Sequence, residues 1–128
     1  MIAIGIGANS RAHETDFRAA LAEAYREVGG ADVITTFDTA IFAIHVEAAA
    51  RQASVMYRPV TLDALRERSG DCLTRSERTL ALFGVASIAE AAALAGAGPG
   101  SHLVVSRRII GNITIAAAQS VEAGGRRE

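Results

Sequence analysis

The sequence predicts an α/β fold: a three-layer sandwich with a mixed, mainly parallel sheet of about five strands and a C-terminal antiparallel hairpin. Two observations carry this prediction. In the first half of the chain, short β-branched runs alternate with helical patterns, which is typical of right-handed βαβ crossovers. Near the C-terminus, two apolar runs flank a short turn that contains glycine, which indicates a hairpin.

The length and composition of the chain predict a single domain at residues 1–118, followed by a flexible tail at residues 119–128. A chain of 128 residues buries a sufficient core without disulfides or metals. Its formal net charge of −1 argues against a nucleic-acid partner. The single cysteine, Cys72, excludes an intramolecular disulfide. With no cluster of metal-ligand spacing either, we expect neither a metal nor a cofactor.

Hydropathy argues against a membrane role. No apolar run reaches the roughly 18 residues that a span needs. The start, MIAIGIGANS, is apolar but lacks the basic n-region and the cleavage site of a signal peptide. We therefore expect a soluble cytoplasmic protein.

The first strand and helix follow from apolar spacing. Residues 1–7 form a short apolar run that predicts a buried strand. After a polar loop, apolar residues recur at helical spacing, and Thr15 or Ser10 is the expected N-cap. Gly29 and Gly30 are expected to end this helix.

Two further strands and a helix complete the βαβ pattern. Residues 31–37 and 53–58 are predicted strands, with a helix at 39–52 between them. Glu47 and Arg51 are placed to pair across one turn of that helix. Because its apolar residues go almost all the way round, we expect it to be well buried.

The middle of the chain holds two short helices. Thr61 is the expected cap of the first. Residues 68–77 follow as the least ordered-looking segment. Thr74 and Glu77 have the spacing of a capping box, which predicts a second helix at about 75–83.

The last third begins with a second capping box. Ser87 and Glu90 predict a helix start, and Gly96 is the expected left-handed residue that ends the helix. A strand at 102–107, a turn RIIG and a strand at 112–118 complete the chain. On this reading an arginine pair sits at the mouth of the hairpin.

A partial GxGxxG motif follows the first strand. Gly5 and Gly7 fit the pattern, but Ser10 replaces the third glycine and Asn9 lies in the same loop. Such loops hold phosphates, and Asp38 after the second strand would take a ribose. The competing interpretations are an ordinary glycine-containing βα turn, and Asp38 as a plain N-cap. An anion site is favoured over a nucleotide site specifically.

The arginine pair is the most suggestive polar feature. Strand alternation puts Arg107 and Arg108 on opposite sides, so one should point to the ligand edge of the sheet or to a neighbouring subunit. A guanidinium there would suit a carboxylate. Asn112 and Thr114 follow with hydrogen-bonding side chains. The alternative is a solvated pair.

Ligands of open α/β sheets gather outside the carboxyl ends of the parallel strands. This edge should bring together the loop at residues 7–10, Asp38 and the loop around Arg58, with the hairpin overhanging it. His45, within an apolar helix, is expected to be a core or interface histidine. Cys72, in a polar loop without a neighbouring base, is expected to be incidental.

The segments GVASIAEAAAL, HLVVSRR and GNITIA resemble the CobE protein and the C-terminal domain of CbiG, both of cobalamin biosynthesis. The resemblance implies a corrinoid intermediate as ligand and other enzymes of the same pathway as partners. CbiG-type proteins open a lactone on the corrin ring, but they carry further domains. The resemblance is therefore to the free-standing CobE type, for which a carrier role and a hydrolytic role both stay open.

The resemblance also bears on the site residues. The family has an aspartate after its second strand, as Asp38 is here, and a basic pair before its Gly-Asn-(Val/Ile)-Thr segment. A nucleotide- or phosphate-binding domain and a structural subunit are the alternatives, a homo-oligomer stays open, and no catalytic residue can be assigned. The candidate ligand-binding residues are Gly5, Gly7, Asn9, Ser10, Asp38, Arg107, Arg108, Asn112 and Thr114.

Overall fold

The computed structural model describes residues 1–121. This part of the chain forms five strands and five helices, and a 3₁₀ turn at Ser69–Asp71 separates α3 from α4. In chain order the elements are β1 (Ile2–Ala8), α1 (Glu14–Val28), β2 (Val33–Thr35), α2 (Ala43–Gln52), β3 (Met56–Tyr57), α3 (Leu62–Glu67), α4 (Glu77–Phe83), α5 (Ile88–Ala97), β4 (His102–Ile110) and β5 (Ile113–Gln119).

The five strands form one mixed sheet in the order β3-β2-β1-β5-β4. The strands β1, β2 and β3 run parallel, whereas β5 is antiparallel to both β1 and β4. The predicted fold class is therefore confirmed, including the C-terminal antiparallel hairpin. The strands β2 and β3 are shorter than the runs that predicted them.

Helices cover both faces of the sheet. Ile4 and Ile6 of β1 pack with Phe17 of α1 and Val46 of α2 on one face. The intervening β1 residues face α5, which forms the layer on the other side. This alternation along β1 produces the three predicted layers.

Glycines let α5 lie directly on the sheet. A Cβ added to Gly5 would lie 2.1 Å from the carbonyl oxygen of Ala89, and one added to Gly96 would lie 2.9 Å from Cγ2 of Thr35. The prediction that Gly96 ends the helix is wrong, because α5 continues through Ala97. Gly96 serves the close approach of helix and strand instead.

The first helix has a different N-cap from the one predicted. His13, not Thr15 or Ser10, is the N-cap residue, and the side chain of Asp16 accepts a hydrogen bond from its backbone N–H at 2.8 Å. The helix ends at Gly29 in the left-handed conformation, with φ of 85°, as predicted. A glycine adopts this conformation without a steric penalty.

The second helix starts later than predicted and is less buried. Turns occupy residues 38–42, and the backbone N–H of Asp38 donates to the carbonyl of Val60 at 2.7 Å. Asp38 is therefore not the helix N-cap. Near the helix start, Ile41 is 94% exposed and Ile44 is 69% exposed, so the expectation of a well-buried helix is wrong.

Two local predictions in the middle of the chain are confirmed. The carboxylate of Glu47 pairs with the guanidinium of Arg51 at 3.2 Å. The hydroxyl of Thr61 accepts a hydrogen bond from the N–H of Ala64 at 3.0 Å and caps α3.

The segment at residues 68–77 is well anchored, contrary to its disordered-looking composition. The guanidinium of Arg68 donates to the carbonyls of Leu94, Gly98 and Ser101. These bonds serve the C-terminal end of α5, where backbone carbonyls lack helical partners. The segment thereby becomes part of the α5 layer.

The predicted cap of α4 is also wrong. Ser76, not Thr74, is the N-cap, and its hydroxyl accepts from the N–H of Thr79 at 3.2 Å. The hydroxyl of Thr74 is buried without a hydrogen-bond partner among residues 1–121. The helix ends at Gly84 in the left-handed conformation.

The C-terminal hairpin is longer than predicted. The turn falls at Gly111 and Asn112, so Arg107 and Arg108 lie within β4 and not at the hairpin mouth. Gln119 is still paired in β5, and residues 122–128 of the predicted tail lie outside the described residues. Within residues 1–121 no single helix is long and apolar enough to cross a bilayer; α4 and α5 meet that criterion only as a pair bent by 62°.

Candidate functional site

A cavity of about 210 Å³ opens at the carboxyl end of β1. It lies where the strand order reverses, between the parallel strands and the antiparallel β5, which is the usual ligand position in open α/β sheets. The lining residues come from β1 and the loop after it, the segment before α2, the helix α4, the start of α5, and the hairpin. They are Gly7, Ala8, Asn9, Phe37, Phe42, Thr79, Phe83, Ser87, Ile88, Arg107 and Thr114.

One wall of the cavity is aromatic. The ring of Phe37 lies 5.5 Å from that of Phe83 and 6.2 Å from that of Phe42, the latter edge-on. Three rings, two from the segment before α2 and one from α4, therefore form a continuous apolar surface, and such surfaces dominate small-molecule sites.

The other side of the cavity is polar, and Arg107 is its cation. From Val105 to Arg108 the strand β4 advances by three residues, whereas its partner β5 advances by only two. This β-bulge places Ser106 and Arg107 opposite a single residue of β5, Ala116, and bulges commonly re-aim a side chain. The half-buried Arg107 consequently lines the cavity beside Thr114.

Arg108 points the opposite way. It pairs with Glu27 of α1, on the far face of the sheet. The prediction that the two arginines lie on opposite sides is therefore confirmed. Only Arg107 reaches the cavity, so the structure separates the pair that the sequence treated as one feature.

The N-terminus of α5 also opens onto the cavity. The hydroxyl of Ser87 accepts from the N–H of Glu90 at 3.3 Å, which confirms Ser87 as the N-cap. Ser87 and Ile88 both line the cavity. The partial positive charge of the helix start thus adds to the charge of Arg107 on the same side.

The carboxylate of Glu90 does not complete the predicted capping box. It is fully buried, and its Oε1 accepts from the backbone N–H groups of Leu73 at 2.8 Å and Thr74 at 3.0 Å. Its Oε2 accepts from the N–H of Arg107 at 2.7 Å. Sequence reasoning missed this role. The available signal was that Glu90 is the sole charged residue of IAEAAALAGA, the α5 sequence.

The glycines of the partial GxGxxG motif lie inside β1, not in a phosphate loop. Gly5 packs under α5, and a Cβ on Gly7 would lie 2.6 Å from Oγ1 of Thr114. The next helix, α1, begins with Glu14 and Asp16. Two carboxylates at a helix start oppose a phosphate there.

Two of the predicted polar residues join the loop after β1 to the hairpin. The amide Nδ2 of Asn9 donates to Oδ1 of Asn112 at 3.0 Å, and the backbone N–H of Asn9 donates to the carbonyl of Asn112 at 3.1 Å. Asn9 lines the cavity, whereas Asn112 and the exposed Ser10 are not among the lining residues.

The other residues predicted for the ligand edge, Asp38 and Arg58, do not line the cavity. Asp38 is exposed and does not line the cavity. Burial, with smaller contributions from Glu47 and Asp38, raises the pKa of the Tyr57 phenol. The guanidinium of Arg58 donates to the carbonyl of Gly96 at 2.9 Å, so it serves α5.

Three further groups complete the chemistry of the described residues. The ring of His45 stacks on Phe17 at 5.6 Å, as expected of a packed histidine. Burial, and then the charge of Glu90, raises the pKa of the Cys72 thiol to about 11, which disfavours a nucleophilic role. Within residues 1–121 no three His, Cys, Asp or Glu side chains form a group suited to a metal ion.

Comparisons with known proteins agree with one another. The family model described as "Cobalamin synthesis G C-terminus" matches residues 2–118. The crystal structure of CobE, a protein from the cobalamin (vitamin B12) biosynthetic pathway, matches with a TM-score of 0.81 and 25% identity, over 94% of this chain and 91% of that one. The cobalamin biosynthesis protein chiG from Agrobacterium tumefaciens matches with a TM-score of 0.75 and 30% identity, over 95% of this chain and 100% of that one.

A third solved structure shares the fold. It is a cobalamin biosynthesis protein G homologue from Sulfolobus solfataricus, with a TM-score of 0.66 and 20% identity, and the match covers 95% of this chain and 37% of that one. No curated protein matches this sequence significantly.

Proposed function

This chain belongs to the cobalamin biosynthesis family named for the C-terminus of protein G, and we propose that it binds a corrinoid intermediate of that pathway at the Arg107 cavity. A corrinoid is a large, flat and partly apolar macrocycle edged with acetate and propionate groups. The single observation that carries the proposal is the pairing of Arg107 and the α5 N-terminus with a wall of three phenylalanine rings.

The size of the cavity specifies how the ligand binds. Sites that enclose a drug-sized ligand have volumes of about 300–1,000 Å³, and this cavity has about 210 Å³. It therefore takes a carboxylate arm and one edge of the ring, and the remainder of the macrocycle lies over its mouth. A carboxylate there meets a guanidinium, which is the strongest neutralising partner in the side-chain inventory.

The lining favours binding over hydrolysis. The described lining residues include three hydroxyl groups, on Thr79, Ser87 and Thr114, but neither an imidazole nor a carboxylate. General-base catalysis needs such a group within hydrogen-bonding reach of the reacting proton. We therefore assign the chain a carrier or product-holding role within corrin synthesis. The nucleotide alternative lost its support when Gly5 and Gly7 proved to be packing residues.

The proposal is tested by an absorbance titration with hydrogenobyrinic acid on the parent, Arg107→Ala and Arg108→Ala proteins. Arg107→Ala should weaken binding by about 1.5–3 kcal/mol, the value of a hydrogen bond to a charged group. Arg108→Ala removes the same charge on the opposite face, and so should bind like the parent. The difference should shrink as salt screens the ion pair.

Two results would overturn this function. One is equal affinity of the parent and Arg107→Ala proteins for the corrinoid. The other is tighter binding of NAD than of the corrinoid in a parallel titration, which would restore the nucleotide-binding alternative. Cys72→Ser, at a residue outside the cavity lining, should leave corrinoid binding unchanged.

A further inference from the structure

Glu90 does not line the cavity, but its carboxylate bonds two of the segments that shape it. Its carboxylate accepts the backbone N–H groups of Leu73, Thr74 and Arg107 at 2.7 to 3.0 Å. Glu90 itself is 0% exposed and lies one turn into α5, just behind the Ser87 N-cap. The three bonds reach two segments of the chain: one contains the cavity residue Arg107, and the other leads into α4, which carries cavity residues.

The bond to Arg107 fixes the backbone of the bulge. Arg107 lies within the register shift between Val105 and Arg108, and its N–H donates to Oε2 of Glu90 at 2.7 Å. A buried N–H must find an acceptor. The direction of the Arg107 side chain follows from the backbone that this bond holds.

The bonds to Leu73 and Thr74 fix the opposite wall. These residues precede Ser76, the N-cap of α4, and α4 carries Thr79 and Phe83 into the cavity. Ser76 is tied to the same region, because its N–H donates to the carbonyl of Ala86 at 2.9 Å. One carboxylate thus sets the spacing between the cation and the aromatic wall.

We propose that Glu90 is a positioning residue of the ligand site: it holds the Arg107 bulge, and with it the guanidinium, at the place where a ligand carboxylate is bound. The proposal rests on the proposed function. Glu90 acts through Arg107 and makes no ligand contact of its own. A carboxylate is needed because it only accepts, and three donors point at it.

The matched change is Glu90→Gln, which keeps the shape and removes one acceptor. The amide oxygen should face Leu73 and Thr74, because the flipped amide would oppose two donors instead of one. The amide NH₂ then faces the N–H of Arg107, and these two donors oppose each other. The Arg107 bulge is then released, while the other two bonds are kept. The variant isolates the bond on which the proposal depends.

A double-mutant cycle with hydrogenobyrinic acid separates positioning from general destabilisation. Glu90→Gln in the parent should weaken binding about tenfold. In the Arg107→Ala background the same change should weaken binding less than twofold, because the guanidinium to be positioned is gone. Equal losses in both backgrounds would show that Glu90 acts independently of Arg107 and would overturn the proposal.

Amide hydrogen exchange supplies a readout without ligand. Glu90→Gln should speed exchange at the Arg107 amide at least tenfold and leave Ala116, in the centre of β5, unchanged. Unaltered exchange at Arg107 would also overturn the proposal. If the parent fails to bind the corrinoid, the proposed function fails, and the exchange result separately decides whether Glu90 holds the bulge.

A second variant covers the case in which Glu90→Gln does not fold. Glu90→Asp keeps the charge but is one methylene shorter, so it cannot span both the Leu73 segment and the Arg107 bulge. The same cycle and the same exchange measurement apply to it. The expected result is again a loss of affinity in the protein that retains Arg107, but not in the Arg107→Ala background.

Discussion

The helices α1 and α5 each place an acidic residue three positions after the N-cap, and they use it in opposite ways. Asp16 accepts from the N–H of His13, the N-cap of its own helix, at 2.8 Å. Glu90 turns away from its N-cap, Ser87, and accepts from two other segments of the chain. One local pattern thus gives a local role in α1 and a tertiary role in α5.

The surroundings of the two helix starts explain the difference. The first turn of α1 is at the surface, where Glu14 and Thr15 are exposed, so a carboxylate there needs only its own backbone. The α5 helix is packed on both sides, with Ala89 against the sheet and Ala91 against the α3 layer. A buried polar group must find partners within the protein.

The largest expected effect is on stability. Glu90→Ala leaves three part-buried backbone N–H groups without their acceptor, and an unsatisfied buried donor costs about 1–3 kcal/mol. The variant should therefore lose about 3 kcal/mol of unfolding free energy, measured by urea titration. Asp16→Ala, at the exposed helix, should lose only about 1 kcal/mol, the usual cost of a weakened cap.

Similar losses of unfolding free energy in these two variants would contradict the proposed difference between Glu90 and Asp16. They would mean that water or a relaxed backbone satisfies Leu73, Thr74 and Arg107 when the carboxylate is removed. The unfolding m-value should stay constant, because the comparison assumes that neither change alters the surface exposed on unfolding.

Features that depend only on the conformational preference of a residue itself could be predicted from the sequence. Gly29 ends α1 in the left-handed region as predicted, because glycine adopts that region without the steric penalty that other residues meet. The strands and the hairpin were likewise predictable from β-branched runs. Helix N-caps were less so, since serine, threonine and histidine within a few residues compete for the same position.

Features that depend on distant partners could not be predicted. The bulge that contains Arg107 appears only in the register of β4 against β5. Arg68 anchors a segment of polar composition by bonding carbonyls in α5 and just beyond its end, 26 to 33 residues away. The partners of Glu90 are backbone N–H groups, which every residue except proline carries, so no sequence pattern identifies them.

A smaller effect is expected when the observed N-cap of α5 is compared with a residue that was predicted to cap α1. Ser87→Ala removes the acceptor for the N–H of Glu90 and should lower the unfolding free energy by about 1 kcal/mol, as is typical of a lost cap. Thr15→Ala, at the position that the sequence proposed as the α1 cap, should change it by less than about 0.5 kcal/mol. An unchanged urea midpoint for Ser87→Ala would show that α5 does not depend on this cap.

The smallest effect uses Cys72 as a reporter of the charge on Glu90. Burial is the main reason that the pKa of this thiol is raised to about 11, and the negative charge of Glu90 is the next. Glu90→Gln removes that charge, so the pKa of Cys72 should fall and the thiolate fraction below pH 11 should rise. Alkylation by iodoacetamide should then be a few times faster at pH 8 to 9, because the thiolate is the reactive form.

The pH profile of this alkylation distinguishes a change of charge from an opening of the loop. A lower pKa speeds the reaction only below the pKa of the parent thiol, so the two rates should converge once both thiols are ionised. A loop that simply opens would raise the rate by a similar factor at every pH. Asp16→Asn removes an equivalent charge from α1 and should leave the Cys72 profile unchanged, because Asp16 is not among the groups that shift this thiol. If Asp16→Asn moves the profile as far as Glu90→Gln does, the two acids do not differ as described.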